Sequence, residues 1–255
     1  MKGVGWIHGI GIEIGAHNIP IEGIRPIYVD RFFEFAGSKC LVDIVSDASV
    51  LPFRENSLDY VASSHLFEHL PNPILTLLEW YAVLKPGGII YMVVPDRTFT
   101  FDHLRERTPL SHLIQDFENN TTGCDPTHIE DFIDNVDLSR MMPHIKPHDI
   151  PKVRREHKLA YQNSVKAGRE INIHFHVFEK EDVIELVEFM KKYEKTRLNW
   201  DIVEVQEKYP PNRCDGFLII IKVKKNFLAR FINKLALFKK FGVRMKTGLI
   251  GKYKR

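Results

Sequence analysis

Residues 89–94, IIYMVV, form an unbroken apolar run that directly follows a segment with helical periodicity. In residues 71–84 the apolar side chains recur every three or four positions. The Lys-Pro-Gly-Gly sequence at 85–88 ends this helix, because Pro cannot continue it and Gly accepts a left-handed turn. An apolar run without alternation indicates a strand buried on both faces of a parallel sheet. The combination favours an α/β fold.

Shorter apolar runs precede this unit and follow it. They predict early strands at 10–14, 26–29, 41–45 and 58–63, a late helix at 179–193 and final strands at 201–206 and 217–224. We therefore expect a Rossmann-like, doubly wound and mostly parallel seven-stranded sheet with an antiparallel hairpin at its edge.

Residues 97–178 interrupt this alternation after the central strand. The first part of the segment is rich in Asp, His, Pro and Arg, and eight of the 12 His lie between His103 and His176. Short helices are predicted at 110–118 and 127–135. A segment of this length at a strand end is more often a functional insertion than a linker. We expect a helical insertion within a domain spanning residues 1–225.

The net charge of +3 conceals two regions of opposite sign. Nine of the 36 Lys and Arg lie in residues 226–255, whereas all 33 Asp and Glu precede them, so residues 1–225 carry a net charge of −6. In 227–241 the apolar residues recur with helical spacing, and Lys and Arg fill much of the opposite face. This pattern predicts a basic amphipathic tail that contacts an anionic membrane surface, or alternatively a partner protein. The acidic body disfavours nucleic acid.

Cysteine usage and hydropathy favour a cytoplasmic protein. The three Cys lie far apart and form no Cys-x-x-Cys pair, which argues against a disulfide framework or a Cys-built zinc site. No apolar run approaches the ~18 residues of a membrane span. The apolar N-terminus is interrupted by Gly and His and does not resemble a signal peptide.

A glycine-bearing turn and two carboxylates follow the first three predicted strands. Residues 9–16, GIGIEIGA, place glycine where the backbone can approach a ligand closely. Asp30 ends the second strand, where a carboxylate can accept both ribose hydroxyls of a nucleoside. Asp47 follows the third strand, where it can accept from an exocyclic amine such as that of adenine. Either Asp can instead serve an ordinary turn or helix N-cap.

As an ordered set, these stretches resemble class I S-adenosylmethionine-dependent methyltransferases of the methyltransferase-11 type. Within that type they resemble a bacterial subgroup often linked to surface-polysaccharide gene clusters. The resemblance runs from about residue 8 to residue 224 and rests on EIGAHNIPI (13–21), YVDR (28–31), SHLFEHLPNP (64–73), the stretch 79–117 and HFHVF (174–178). One departure is that His17 and Ile19 stand at the second and third glycine positions of the family's first turn.

The resemblance implies S-adenosyl-L-methionine as the cofactor. It assigns Glu13, Gly15 and Ala16 to the methionine end of the cofactor and Asp30 to the ribose hydroxyls. Asp47 and Ala48 are assigned to adenine, and Ser64 and His65 to the sulfonium and the acceptor entrance. Arg31, next to Asp30, is also assigned to cofactor binding. It further implies an enzyme that O-methylates a sugar hydroxyl of a nucleotide sugar or a lipid-linked glycan, with residues 97–178 forming the acceptor site. The tail would then hold the enzyme at the inner membrane face.

A hydroxyl acceptor needs a general base, since its pKa is far above neutral. The catalytic candidates are His65, His112, Asp116, His128 and His176, and Asp102, His103 and His174 are further candidates for the base. His112 and Asp116 share one helix face, and His176 points the same way as His174 if that segment is extended. Each has a structural alternative, such as pinning the insertion to the core. We expect no metal, since the spacings match no known tight site.

The sequence leaves three further hypotheses open. Arg105 and Arg107 could bind an acceptor phosphate or carboxylate, or form salt bridges with Asp and Glu. The replaced glycines favour a non-catalytic methyltransferase-like scaffold that recruits glycan-assembly enzymes at the membrane. A small-molecule methyltransferase whose tail serves dimerisation is the remaining possibility.

Overall fold

Seven strands form one sheet in the computed structural model, which describes residues 3–35 and 37–225. The strands of the chain are β1 Gly11–Ile14, β2 Ile27–Asp30, β3 Glu34–Phe35, β4 Ser38–Lys39, β5 Ile44–Val45, β6 Leu58–Ser64, β7 Leu84–Pro95, β8 Trp200–Tyr209 and β9 Gly216–Val223. The helices are α1 Pro73–Val83, α2 Leu110–Asn119, α3 Pro126–Asn135, α4 Leu138–Met141, α5 Ile150–Lys166 and α6 Lys180–Lys192. The predicted amphipathic tail, 226–255, lies outside the described residues.

The strand order is β5-β2-β1-β6-β7-β9-β8, and β3 pairs with β4 in a separate hairpin. The first five strands in this order, β5-β2-β1-β6-β7, are parallel to one another. Strand β9 is antiparallel to both β7 and β8. The predicted α/β fold, with its mostly parallel sheet and antiparallel edge hairpin, is confirmed. From β1 the chain first runs through β2 to β5 at one edge of the sheet and then returns to β6 on the other side of β1. A topological switch point therefore lies between β1 and β6. In open α/β sheets, ligands bind at such a point, at the carboxyl ends of the strands.

The helix before the central strand has the boundaries that its sequence dictates. Asn72 caps α1 by accepting from the backbone N–H of Leu75 at 3.0 Å, and Pro73 occupies the first turn, where its missing N–H costs nothing. The helix ends at Val83, and Leu84 alone separates it from the Lys-Pro-Gly-Gly sequence. The part of β7 from residue 88 onward is buried throughout, as expected of a strand covered on both faces.

The two faces of the sheet are covered in different ways. On one face, side chains of α1 and α6 such as Trp80 and Leu186 pack against buried strand residues including Ile90. On the other face no α-helix of the described chain contributes to the buried cluster. There Ile7 and Ile21 belong to the short N-terminal segment and to the β1–β2 connection.

Close contact with the chain itself seals this second face. A Cβ on Gly3 would lie 2.5 Å from Cδ2 of Leu218, so the N-terminal segment lies directly on the sheet. The β1–β2 connection, 15–26, contains Pro20 and Pro26, which disfavour a helix between the two strands. A doubly wound fold is expected to place helices on this face, but in the described chain loop segments cover it instead.

The insertion between β7 and α6 has a small apolar core of its own. Buried residues of α3 and its surroundings form this cluster: Ile129, Phe132, Ile133, Val136, Leu138 and Ile173. Two of its helices, α2 and α3, agree with the predicted segments. The 17-residue α5 was not predicted, because polar residues dominate its sequence; none of its residues is buried. Among the described residues, none of the helices has the length and hydrophobicity to span a bilayer.

Candidate functional site

A first cavity of about 490 Å³ opens at the carboxyl ends of β1, β2 and β5. Six of the predicted cofactor residues line it: Gly15, Asp30, Arg31, Asp47, Ala48 and His65. Its opposite wall comes from the insertion, through residues such as Cys124, Glu170 and Phe175. The cavity has the size of a cofactor pocket and the position that open α/β sheets favour for ligands.

The two carboxylates of this cavity are held by local hydrogen bonds. Asp30 Oδ1 accepts from the backbone N–H of Phe32 at 3.0 Å, and Asp47 Oδ1 accepts from the backbone N–H and the hydroxyl of Ser49. Arg31 Nε lies 3.4 Å from Asp47 Oδ2, and the same guanidinium pairs with Glu170. Arg31 thus connects the sheet edge to the insertion. Asp47 stabilises the turn at residues 47–49 and also lines the cavity.

A second cavity of about 350 Å³ adjoins the first, because His65 and His69 line both. Glu68, His174 and Asp215 also line it. Polar residues from the insertion and the β8–β9 turn, among them Thr100, Arg140 and Arg213, complete its wall. The two cavities are therefore separated by imidazole side chains at the carboxyl end of β6.

His174 in the second cavity is oriented by a buried carboxylate. Its Nδ1 lies 2.5 Å from Asp102 Oδ2, and Asp102 Oδ1 accepts from Arg105 Nη1 at 2.8 Å. Burial of Asp102 favours its neutral form, but the hydrogen bond from His174 and the charges of His174 and Arg105 hold its pKa below the ordinary value. A proton on Nδ1 of His174 leaves the Nε2 lone pair free to accept a proton.

Glu68 lies among three imidazoles. Its Oε1 is 3.9 Å from Nδ1 of His65, 3.7 Å from Nε2 of His69 and 4.0 Å from Nε2 of His174. Burial is the main reason that the pKa of His69 is lowered to about 4, so His69 is neutral at pH 7. Its Nδ1 lies 2.9 Å from the carbonyl oxygen of Ile173, which fixes the ring beside the insertion.

Sequence reasoning considered Asp102 and His174 as candidates for the base but did not select Glu68 or His69 as catalytic. Glu68 and His69 were visible in the stretch 64–73, and His174 was considered together with His176 as a pair pointing the same way. The chain is bent at residues 175–176 rather than extended. His174 therefore reaches Asp102, whereas the ring of His176 lies beside those of His112 and His128.

The other predicted catalytic residues form a separate group. His112, Asp116, His128 and His176 come together, but none of them lines any of the three cavities described here. Of the predicted catalytic set, His65 is the member that lines the cavities. Burial, together with the neighbouring imidazoles, lowers the pKa of His176, and burial raises the pKa of Asp116.

The remaining cofactor candidates lie beyond the first cavity. Ala16 and Ser64 line a third cavity of about 440 Å³, which shares Gly15, His17 and His65 with the first. Glu13 lines none of the three. It is fully buried, and its Oε1 accepts from the backbone N–H of Ile21 at 2.9 Å, which ties the β1–β2 connection to the sheet.

Glu13 makes folding stability dependent on pH. Its burial raises its pKa to about 7, against the smaller opposing effect of the Ile21 hydrogen bond. A raised acid pKa stabilises the fold while the group is protonated, and this contribution is lost as the pH rises from the unfolded value through about 7. We expect Glu13 by itself to lower the free energy of unfolding by about 3 kcal/mol across this range, and Glu13→Gln to remove that contribution from the pH dependence. Urea unfolding at several pH values measures it.

Glu55→Gln is the matched control, because Glu55 is exposed. This variant should retain the wild-type pH dependence. An unchanged pH dependence in Glu13→Gln would contradict the assignment.

Comparison with known proteins gives one family match and several partial relatives. Residues 29–92 match the family model described as a methyltransferase domain. Phosphoethanolamine N-methyltransferase 2 of Caenorhabditis elegans is 25% identical over 140 residues, which cover 55% of this chain and 30% of that protein. Demethylmenaquinone methyltransferase of Staphylococcus haemolyticus is 46% identical over 44 residues, 17% of this chain and 18% of that protein. The matches thus span less than a third of these relatives.

Solved structures align over most of the chain at low similarity. A methyltransferase described as a possible histamine N-methyltransferase, from Thermotoga maritima, has a TM-score of 0.41 and 17% identity over 86% of this chain and 83% of its own. A second methyltransferase, from Methanosarcina mazei, has a TM-score of 0.43 and 16% identity over 87% and 96%. The family match runs from the second half of β2 to residue 92 in β7, and this stretch includes Asp30, Asp47 and His65. Residues 29–92 are thus similar to a methyltransferase domain, and they lie within the mostly parallel part of the sheet.

Proposed function

We propose that this chain is an S-adenosylmethionine-dependent methyltransferase that binds the cofactor in the first cavity and a methyl acceptor in the second. The observation that carries the proposal is the position of His65 and His69, which line both cavities. When bound, the cofactor supplies a methyl group already activated by the sulfonium charge. The protein then has to align the acceptor, exclude water and remove a proton.

The first cavity fits the donors of a nucleoside. Asp30 ends β2, and Asp47 lies two residues beyond the paired strand β5, so both carboxylates face one cavity. Ribose hydroxyls and an exocyclic amine are donors that carboxylates accept. Gly15 turns the chain at φ 70°, and a Cβ there would lie 3.0 Å from Cδ1 of Leu66, so the backbone itself forms part of the wall.

The Asp30 carboxylate should account for much of the cofactor affinity. Asp30→Asn keeps an oxygen for the Phe32 N–H but loses the charge-assisted bonds to ribose. Hydrogen bonds to charged groups are worth ~1.5–3 kcal/mol, so we expect S-adenosylhomocysteine to bind about 10–100-fold more weakly. Calorimetric titration measures this. Asp43→Asn is the control, since Asp43 also accepts a backbone N–H, that of Tyr28, but does not line the cavity; equal affinities in both variants would refute the role of Asp30.

The acceptor in this proposal is a sugar hydroxyl. Support comes from the polar wall of the second cavity, where a polyol finds hydrogen-bonding partners in Thr100, Arg140 and Arg213. His174 acts as the general base, because its Nδ1 is held by Asp102 and the residue lines this cavity. This hydroxyl would belong to a nucleotide sugar or to a lipid-linked glycan. For a lipid-linked glycan, the basic tail would hold the enzyme at the anionic membrane surface that carries the acceptor.

Methyl transfer from labelled cofactor into separated nucleotide-sugar, glycolipid, RNA and protein fractions tests the acceptor. Label in either sugar fraction supports the proposal, and label confined to RNA or protein would refute the sugar assignment. A chain that fails to bind millimolar S-adenosylhomocysteine would refute the enzymatic function. That result would favour the non-catalytic scaffold, for which His17 and Ile19 at the glycine positions argue.

A further inference from the structure

Four metal-ligating side chains converge inside the insertion, outside the proposed active site. One possible ligand atom from each of His112, Asp116, His128 and His176 lies within 4.8 Å of the others. His112 Nε2 is 3.3 Å from both His128 Nε2 and Asp116 Oδ2. Nε2 of His128 and Nε2 of His176 are 3.9 and 3.8 Å from that same oxygen. A tetrahedral zinc ion with bonds of ~2.0–2.1 Å places its ligand atoms about 3.3 Å apart, so small side-chain movements complete this geometry.

The hydrogen bonds around the group leave lone pairs directed at its centre. Nδ1 of His128 lies 3.0 Å from Asp125 Oδ1, which places the ring proton on Nδ1 and a lone pair on Nε2. Within the described chain, His176 Nε2 and Asp116 Oδ2 are buried and have no hydrogen-bond partner. Buried acceptors that face one another are costly unless a cation or proton lies between them.

Two further side chains orient the ligands from outside. Asp125 fixes the His128 ring as described, and the Thr121 hydroxyl donates to Asp116 Oδ1 at 3.2 Å, which leaves Oδ2 for the centre. A carboxylate behind a ligating imidazole is the usual outer support of a metal site, because it fixes the tautomer and raises the basicity of the ligand. Three imidazoles and one carboxylate form a ligand set that suits zinc.

We propose that His112, Asp116, His128 and His176 bind one Zn²⁺ ion in a closed structural site. Four protein ligands complete a tetrahedron and leave no open position for substrate. The ligands come from α2, from α3 and from the bend at residues 175–176. The ion therefore ties α2 and α3 to the last segment of the insertion, whose Ile173 and Phe175 line the first cavity. This revises the expectation that the chain binds no metal.

Metal analysis of the full chain, purified without chelator, tests the site. We expect about one zinc ion per chain, and we expect the chelator-treated protein to unfold at a higher temperature when zinc is restored. Cobalt substitution should give the intense visible absorption of tetrahedral Co²⁺. His112→Ala should lose the metal at equal protein concentration. It is the mildest ligand variant for folding, because the His112 side chain is 32% exposed. Circular dichroism tests whether this variant is folded.

Two other variants sharpen the test. Asp125→Ser keeps an N-cap for α3 but removes the partner of His128, so we expect zinc affinity to fall by about 10–100-fold. His174→Ala is the matched control, because Glu68, His69 and His174 form the other compact group of possible ligands in the described chain. This control should retain zinc. A folded wild-type chain without zinc, or zinc lost in His174→Ala but kept in His112→Ala, would overturn the proposal.

Discussion

Replacing His174 with Ala is expected to lower the rate of methyl transfer about 10²–10⁴-fold, the usual contribution of a general base. Binding of S-adenosylhomocysteine should be unchanged, because His174 lines the second cavity and not the first. The expected effect is large because Asp102 fixes the ring, so that one nitrogen carries the proton and the other can accept one. Single-turnover transfer from labelled cofactor gives the rate, and calorimetry gives the affinity.

Added imidazole distinguishes a base from a structural histidine. It should restore part of the activity of His174→Ala, since a small base can enter the space that the ring leaves, whereas a packing defect would not respond. His148→Ala is the control, because the His148 side chain is 74% exposed and lines none of the described cavities. A His174→Ala enzyme with wild-type turnover, or one whose loss lies wholly in cofactor binding, would exclude His174 as the base.

Replacing Arg105 with Leu is expected to destabilise the fold by about 3–5 kcal/mol, the cost of breaking a buried ion pair by removing one partner. Arg105 is fully buried; its guanidinium donates to Asp102 at 2.8 Å and to Asp131 at 2.6 Å, and it lies over the Phe132 ring. Without it, Asp102 would remain as a carboxylate that is 3% exposed and has lost its permanent cation. Urea unfolding of the two proteins measures the difference.

Arg107→Leu provides a matched comparison two residues away. The Arg107 side chain is 47% exposed and pairs with Asp182 and Glu179, so its removal should cost less than about 1 kcal/mol. Similar losses in the two variants would contradict the buried-pair interpretation. The sequence left both arginines open as ligands for an acceptor anion. In the structure, Arg105 pairs with Asp102 and Asp131, two carboxylates of the insertion.

Much of the fold was accessible from the sequence because its signals are local. The continuous apolar run of β7, the Asn72-Pro73 start of α1 and the Pro-Gly-Gly after it each depend on neighbouring residues only. The same holds for part of the first cavity. A carboxylate that ends one parallel strand must lie near one that follows the adjacent strand, so Asp30 and Asp47 face one cavity once the strand order is that of a Rossmann-like sheet.

The sequence by itself therefore determined the α/β architecture and the edge of the sheet that carries the carboxylates, since periodicity and strand ends are properties of short segments. Only the tertiary structure decided which histidines act together. A bend at residues 175–176 sends His174 to Asp102 and His176 to Asp116, and the packing of α2 beside α3 brings His112 to His128. Those contacts join residues 16 to 72 positions apart, and no local pattern specifies them, because they depend on how separate elements pack in three dimensions.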